Sequence, residues 1–362
     1  MTTVASFQID HTRYLDPEGN ASQPLPDFAL EPDTLIALYR AMALTRAFDT
    51  KAVALQRTGK LGTFASSLGQ EAIGVAVAAA MQPDDVLFPS YRDHAAQLLR
   101  GVTMVESLLY WGGDERGSDF AGPRRDFPNC VPIGTQVCHA VGAAYALKLR
   151  GEPSVAVTIV GDGGTSKGDF YEAMNFAGVW QAPLVIVVNN NQWAISMPRG
   201  RQTATATLAQ KALAAGIEGL QVDGNDVIAV HHVARRALDR ARRGEGPTLI
   251  EALSYRLGDH TTADDATRYR DPEAVAAAWA DEPLVRLRKY LMRLGAWDKA
   301  QEEALGGECR DAVDQAVQDY LSVPQPHTAA MFDHLYATLP ASLEAQRETA
   351  SRFAPEAESG HD

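Results

Sequence analysis

Cysteine is scarce in this chain: Cys130, Cys138 and Cys309 are the only three among 362 residues. An odd number at those spacings makes neither a disulfide framework nor a metal or redox motif. Small buried thiols in a reducing cytoplasm are the expectation. No apolar run reaches the length of a membrane span, and the N-terminus lacks the basic-then-apolar form of a secretory leader. Basic clusters are missing as well. With a formal charge of −13, neither nucleic acid nor an anionic membrane is an expected partner. No internal repeat is present, which excludes a solenoid. Two common glycine-rich phosphate motifs also fail. A P-loop needs Ser or Thr after its lysine, but Lys167 is followed by Gly168. A dinucleotide fingerprint needs glycine or alanine at its sixth position, where Ser166 stands.

What remains is ordinary in bulk and specific in one place. Apolar residues make up 46% and charged residues 22%, as in a soluble globular protein, and the length allows about two domains as a first guess. The specific stretch runs from Gly161 to Ser196. An apolar run, Val155 to Val160, stops at Gly161-Asp162-Gly163. A helical pattern from near Asp169 follows, and a second apolar run, Leu184 to Val188, ends in three asparagines. This pattern predicts strand, turn, helix and strand of the parallel α/β kind, so Asp162 and Asn191 should meet in a crevice at the carboxyl ends of the strands. One carboxylate and one amide oxygen suit magnesium that shares its coordination with phosphate. Gly163 and Gly164 let backbone approach an anion, and the following helix directs its amide dipole at it. GDG followed about thirty residues later by Asn-Asn is the spacing of a thiamine diphosphate motif.

Around this centre, residues 1–30 read as an extended, Pro-rich arm (Pro17, Pro24, Pro26), residues 31–340 as one α/β domain, and residues 341–362 as a polar, fraying tail. Helices are predicted from Asp33 to about Gly59 and from Gln70, where Glu71 would favour the helix dipole. Tyr91-Arg92 ends a short strand, placed either to clamp phosphate or to pair with Asp93. Trp111 to Pro128 reads as a loop over the site. Asn129 to Gln136 is irregular, and the small-residue helix after it carries His139, read as a core or interface histidine. LAQKALAAGI reads as a helix, and His231 and His232 as solvated helix residues. Thr248 to Leu257 is a strand leading to His260, which is placed for acid–base work.

GDGGTSKGDFYEAMNFAG, QVDGNDVIAV, GPTLIEALSYR, HTTADDATRYR and PLVRLRKYL together resemble the alpha subunit of the thiamine-dependent decarboxylase component of two-chain 2-oxo acid dehydrogenases, from about Asp33 to Leu339. The resemblance implies a thiamine diphosphate-binding α/β fold, with a largely parallel central sheet flanked by helices on both faces. It implies Mg2+ held by Asp162, Asn191 and the Trp193 carbonyl, and diphosphate held by Tyr91, Arg92, Gly163 and Gly164. Val131 and Ile133 would hold the cofactor rings. His260 would be the active-site histidine that meets the lipoyl group. Cys130, Pro132, Thr135 and Gln136 correspond to a potassium site in some relatives. Asn189 replaces an arginine or glutamine of some relatives, and Thr261 and Asp271 stand where mitochondrial relatives carry regulated serines, so no kinase switch is expected.

The implied reaction is decarboxylation of a 2-oxo acid, followed by acyl transfer to a lipoyl-lysine of the dihydrolipoyl acyltransferase. The family draws its cofactor-activating glutamate from a beta chain, so the active form would be a heterotetramer of two alpha and two beta chains. Pyruvate is the favoured substrate. A branched-chain 2-oxo acid (3-methyl-2-oxobutanoate) dehydrogenase and an acetoin dehydrogenase are the alternatives. A transketolase-like enzyme and a non-catalytic partner subunit are more distant ones.

Overall fold

A parallel strand covered on both faces has no solvent side, so its sequence carries no polar alternation. The runs predicted as strands have this character, and the computed structural model, which describes residues 1–333 and 335–353, places them at the centre. Strands β1 (His11–Thr12), β2 (Val86–Phe88), β3 (Ala156–Gly161) and β4 (Leu184–Asn190) precede a small hairpin of β5 (Trp193–Ala194) and β6 (Met197–Pro198). Strands β7 (Glu218–Asp223) and β8 (Thr248–Leu253) follow. All but the hairpin join one six-stranded parallel sheet in the order β1-β7-β8-β4-β3-β2.

The main helices are α1 (Pro32–Arg57), α2 (Glu71–Ala80), α3 (His94–Arg100), α4 (Met104–Gly112), α5 (Thr135–Arg150), α6 (Gly168–Trp180), α7 (Lys211–Ala214), α8 (Val227–Arg242), α9 (Pro272–Ala280), α10 (Pro283–Arg293) and α11 (Lys299–Ser322). Alternate strand residues feed two cores, as the two-residue period of a strand requires. Val157, Ile159, Val185, Val187 and Ile250 pack with α1, α2 and α8, whereas Ala156, Val160, Ile186, Val188 and Leu249 pack with α5 and α6.

Several local expectations are corrected. The arm is tied down: β1 pairs with β7, and the amides of Tyr14 and Leu15 each donate to Asp226 at 2.7 Å. Trp111 and Gly112 still belong to α4, so the predicted loop begins only at Gly113, and within it Asp126 is gripped by Arg100. LAQKALAAGI yields only the short α7, and β8 stops at Leu253, before Leu257. Glu71 does more than favour a dipole, because it is fully buried and paired with Arg46. His231 is buried against Phe28, with ring centroids 4.3 Å apart, rather than solvated. Cys309 is buried as expected, Cys130 is half-buried and Cys138 is exposed.

Met1–Val317 form one compact unit, and the residues from Gln318 onward form a second. The sequence-based division at residue 340 falls inside that second unit. There Ala341–Arg352 is helical where a fraying tail was predicted, and residues 354–362 of that tail lie outside the described residues.

Candidate active site

Gly161 of β3 pairs in register with Asn189 of β4. Asp162 and Asn191 therefore leave neighbouring strands at the same end of the sheet, and both line one cavity of about 260 Å³. The Asp162 carboxylate is buried and accepts a hydrogen bond from Gln202 Nε2 at 2.6 Å; burial raises its pKa above the usual carboxylate range. Asn191 Nδ2 donates to Gln70 Oε1 at 2.8 Å, and its Oδ1 accepts the Trp193 amide at 3.2 Å. The chain then bends sharply, with Gln192 and Ile195 both in the left-handed region at φ of 72° and 55°. For a β-branched residue that conformation is strained. The bend brings Ala194 against Gly163, where an added Cβ would lie 2.5 Å from the Ala194 Cβ. Only glycine permits that approach of hairpin to turn.

The opposite character gathers at the ends of β2 and β8. Arg92 donates through Nη1 to the Ser66 carbonyl and through Nη2 to the His260 carbonyl at 2.9 Å. Its Nη2 also lies 3.3 Å from His260 Nδ1, and Arg256 Nη1 lies 3.5 Å from the same nitrogen. Neither guanidinium accepts a hydrogen bond, so Nδ1 is the acceptor and the neutral ring carries its proton on Nε2. Burial first, then the two arginines, push the His260 pKa down to about 4. The loop is held from below: the His260 amide donates to Asp264 at 2.9 Å, Tyr269 donates to the same carboxylate, and Arg256 donates to the Tyr269 hydroxyl at 2.8 Å.

Most of the residues singled out by the sequence come together here. Tyr91, Arg92, Ile133, Asp162, Gly163, Gly164, Asn191, Trp193 and His260 line the cavity, as do Cys130 and Gln136. Val131, Pro132 and Thr135 do not; they line an outer groove beside it, and Val131 is 61% exposed. No residue between Trp111 and Asn129 is among those lining the cavity, so the expected covering loop is not part of its wall. Sequence reasoning missed Gln70, Gln202 and Arg256. Gln70 sits one residue before α2 and reads as a helix start, Gln202 lies in a featureless polar loop, and Arg256 was absorbed into a strand. None carries a spacing signal.

The donor set is one carboxylate, one carboxamide and backbone oxygen. No cluster of three or more His, Cys, Asp or Glu that could hold a metal exists among the described residues. Hard oxygen donors, few in number and facing an arginine, fit a divalent cation bound together with phosphate rather than a soft-metal cage.

A family model described as the dehydrogenase E1 component matches residues 39–329. The chain belongs to the dehydrogenase E1 component family. It is 45% identical over 352 residues to the 3-methyl-2-oxobutanoate dehydrogenase subunit alpha of Mycobacterium tuberculosis, covering 95% of this chain and 94% of that one. To the pyruvate dehydrogenase E1 component subunit alpha of Staphylococcus aureus it is 39% identical over 349 residues, covering 96% and 93%. The resemblance read from sequence segments thus holds over nearly the whole chain, and the parallel sheet covered by helices is the expected fold. Membership implies thiamine diphosphate as the cofactor and the alpha-subunit role within a 2-oxo acid dehydrogenase. No helix among the described residues is long and apolar enough to cross a membrane.

Proposed function

We propose that this alpha subunit, with a beta subunit in a heterotetramer of two of each, decarboxylates pyruvate oxidatively and passes the acetyl group to the lipoyl-lysine of a dihydrolipoyl acyltransferase. One observation carries the reading: a single cavity sets the Asp162 and Asn191 side chains at adjacent strand ends and the Arg92–His260 pair across the same space.

The residues present fit a magnesium–diphosphate head. The Asp162 carboxylate, the Asn191 carboxamide oxygen and the Trp193 carbonyl would hold the cation. Arg92 would hold phosphate as a charged donor, with Tyr91 and the amides of Gly163 and Gly164 beside it. Ile133 offers an apolar wall to the cofactor rings, and Val131 extends it outward. When bound, thiamine diphosphate supplies the electron sink for loss of carbon dioxide. His260, neutral near pH 7, presents Nε2–H as a proton donor for acyl transfer to the lipoyl group.

The potassium set does not fit as a unit. Gln136 lines the inner cavity with Oε1 unpartnered, whereas Pro132 and Thr135 line the outer groove. The Pro132 carbonyl already takes the Thr135 amide at 3.2 Å and the Cys130 thiol at 3.4 Å. No step is derived through potassium.

A beta chain is needed on the same grounds. The carboxylates lining the cavity are Asp93 and Asp162. Asp93 is engaged by the Ser90 amide and hydroxyl at 2.6 and 2.7 Å, and Asp162 by Gln202. No free carboxylate among the described cavity residues is left to activate the cofactor rings. Ile195, at the inner cavity, and Val131, at the outer groove, are 58% and 61% exposed and offer apolar surface to a partner chain. The identity to the mycobacterial subunit favours 3-methyl-2-oxobutanoate as a second reading of the substrate. One or two methylenes are worth only about 1–3 kcal/mol of discrimination. Carbon dioxide release from pyruvate and from 3-methyl-2-oxobutanoate, measured on the reconstituted heterotetramer and on the alpha chain alone, tests both points. Robust turnover by the alpha chain alone would overturn the reading.

A further inference from the structure

A carboxamide has an oxygen face and a nitrogen face of nearly equal shape, and only the oxygen binds a cation. At Asn191 this choice is fixed by a chain of donors. The Trp193 backbone N–H can only donate, and it lies 3.2 Å from the atom assigned as Asn191 Oδ1. The other face, Nδ2, must then find an acceptor, which Gln70 Oε1 supplies at 2.8 Å. The same oxygen accepts Asn189 Nδ2 at 3.0 Å, while Asn189 Oδ1 takes the Ser254 hydroxyl at 2.8 Å. Gln70 is 3% exposed, lines the cavity and leaves its Nε2 with no partner among the described residues. Its amide is therefore oriented by two asparagines that both need an acceptor, and its unsatisfied donor belongs to the wall that meets the ligand.

We propose that Gln70 is a positioning residue that holds the Asn191 carboxamide with its oxygen available to the metal. The proposal rests on the magnesium–diphosphate reading of the cavity given above. Without Gln70 the Asn191 amide loses the acceptor for its nitrogen and populates the flipped state, whose NH2 group repels a cation. Groups that orient a metal ligand typically contribute about 10–100-fold in metal affinity.

The test is a magnesium titration of the reconstituted heterotetramer at fixed thiamine diphosphate, read by intrinsic tryptophan fluorescence rather than by turnover. Gln70→Met is expected to weaken magnesium about 10–100-fold, with the thermal unfolding of the cofactor-free protein as a folding control. Gln70→Glu keeps an acceptor for both asparagines and is expected to bind magnesium within about threefold of wild type, or more tightly. In an Asn191→Asp background, where both faces are oxygen, Gln70→Met is expected to cost no more than about twofold. Equal losses from Gln70→Met in the wild-type and Asn191→Asp backgrounds, or a Gln70→Glu loss as large as that of Gln70→Met, would overturn the proposal. A wild-type protein without magnesium-dependent thiamine diphosphate binding would instead overturn the functional reading beneath it.

Discussion

Arg92 donates to the backbone oxygen of His260 at 2.9 Å while its Nη2 stands 3.3 Å from the Nδ1 of the same residue. The guanidinium thus fixes the histidine in place and discourages its protonation. The His260 pKa moves from an ordinary 6.5 to about 4. Between those values the unfolded chain binds a proton that the folded chain does not, so stability falls as pH drops through the window and is fully present above pH 6.5. His231, also near 4, acts in the same direction, and Asp93, pushed up to about 6, acts in the opposite one. Both remain in a His260→Gln variant, so the difference between wild type and variant isolates His260. That difference is expected to move against wild type steadily from pH 6.5 to pH 4 in denaturant unfolding. A pH-independent difference would contradict it.

Asp162→Ala is expected to abolish magnesium-dependent binding of thiamine diphosphate to the heterotetramer, measured by calorimetry, and a chelator should reproduce the loss with wild type. The same variant removes a carboxylate whose burial raises its pKa. The cofactor-free protein should therefore be no less stable to heat than wild type, because the cost of burying that carboxylate is removed.

Gly163→Ala would place a methyl group 2.5 Å from the Ala194 Cβ and push the β5–β6 hairpin off the turn. Cofactor affinity is expected to fall by at least about tenfold, a cost of roughly 1.4 kcal/mol or more, as for overpacking of a tight contact. The double variant Gly163→Ala with Ala194→Gly removes the atom that is struck and should recover most of the affinity. Gly163 has no left-handed φ, so failure to recover would overturn the close contact as the reason for glycine there.

Asp226 caps α8 through the amides of Ile228 and Ala229 and also accepts the Tyr14 and Leu15 amides. Asp226→Ala leaves a buried helix start and two arm amides without partners, which should lower the unfolding free energy by about 2–4 kcal/mol. Asp226→Ser restores the cap but cannot reach the arm, so it should recover stability in part while residues 1–13 become sensitive to proteolysis.

The sequence by itself determined the sheet and the two side chains that meet at its carboxyl end. A strand buried on both faces must be continuously apolar, and a parallel strand presents its polar residues at its carboxyl end. Val155 to Val160 and Leu184 to Val188 therefore announced β3 and β4, and Asp162 and Asn191 marked the site between them. The family segments extended this to Tyr91, Arg92 and His260. Only the tertiary structure decided what orients those groups. Gln70, Gln202 and Arg256 act through hydrogen bonds to Asn191, Asp162 and Trp193, which lie 121, 40 and 63 positions away in the chain, and such contacts leave no period in it. The anchoring of the arm was illegible for the same reason: the Tyr14 and Leu15 amides are satisfied by a carboxylate more than 200 residues away, a partner that composition cannot reveal.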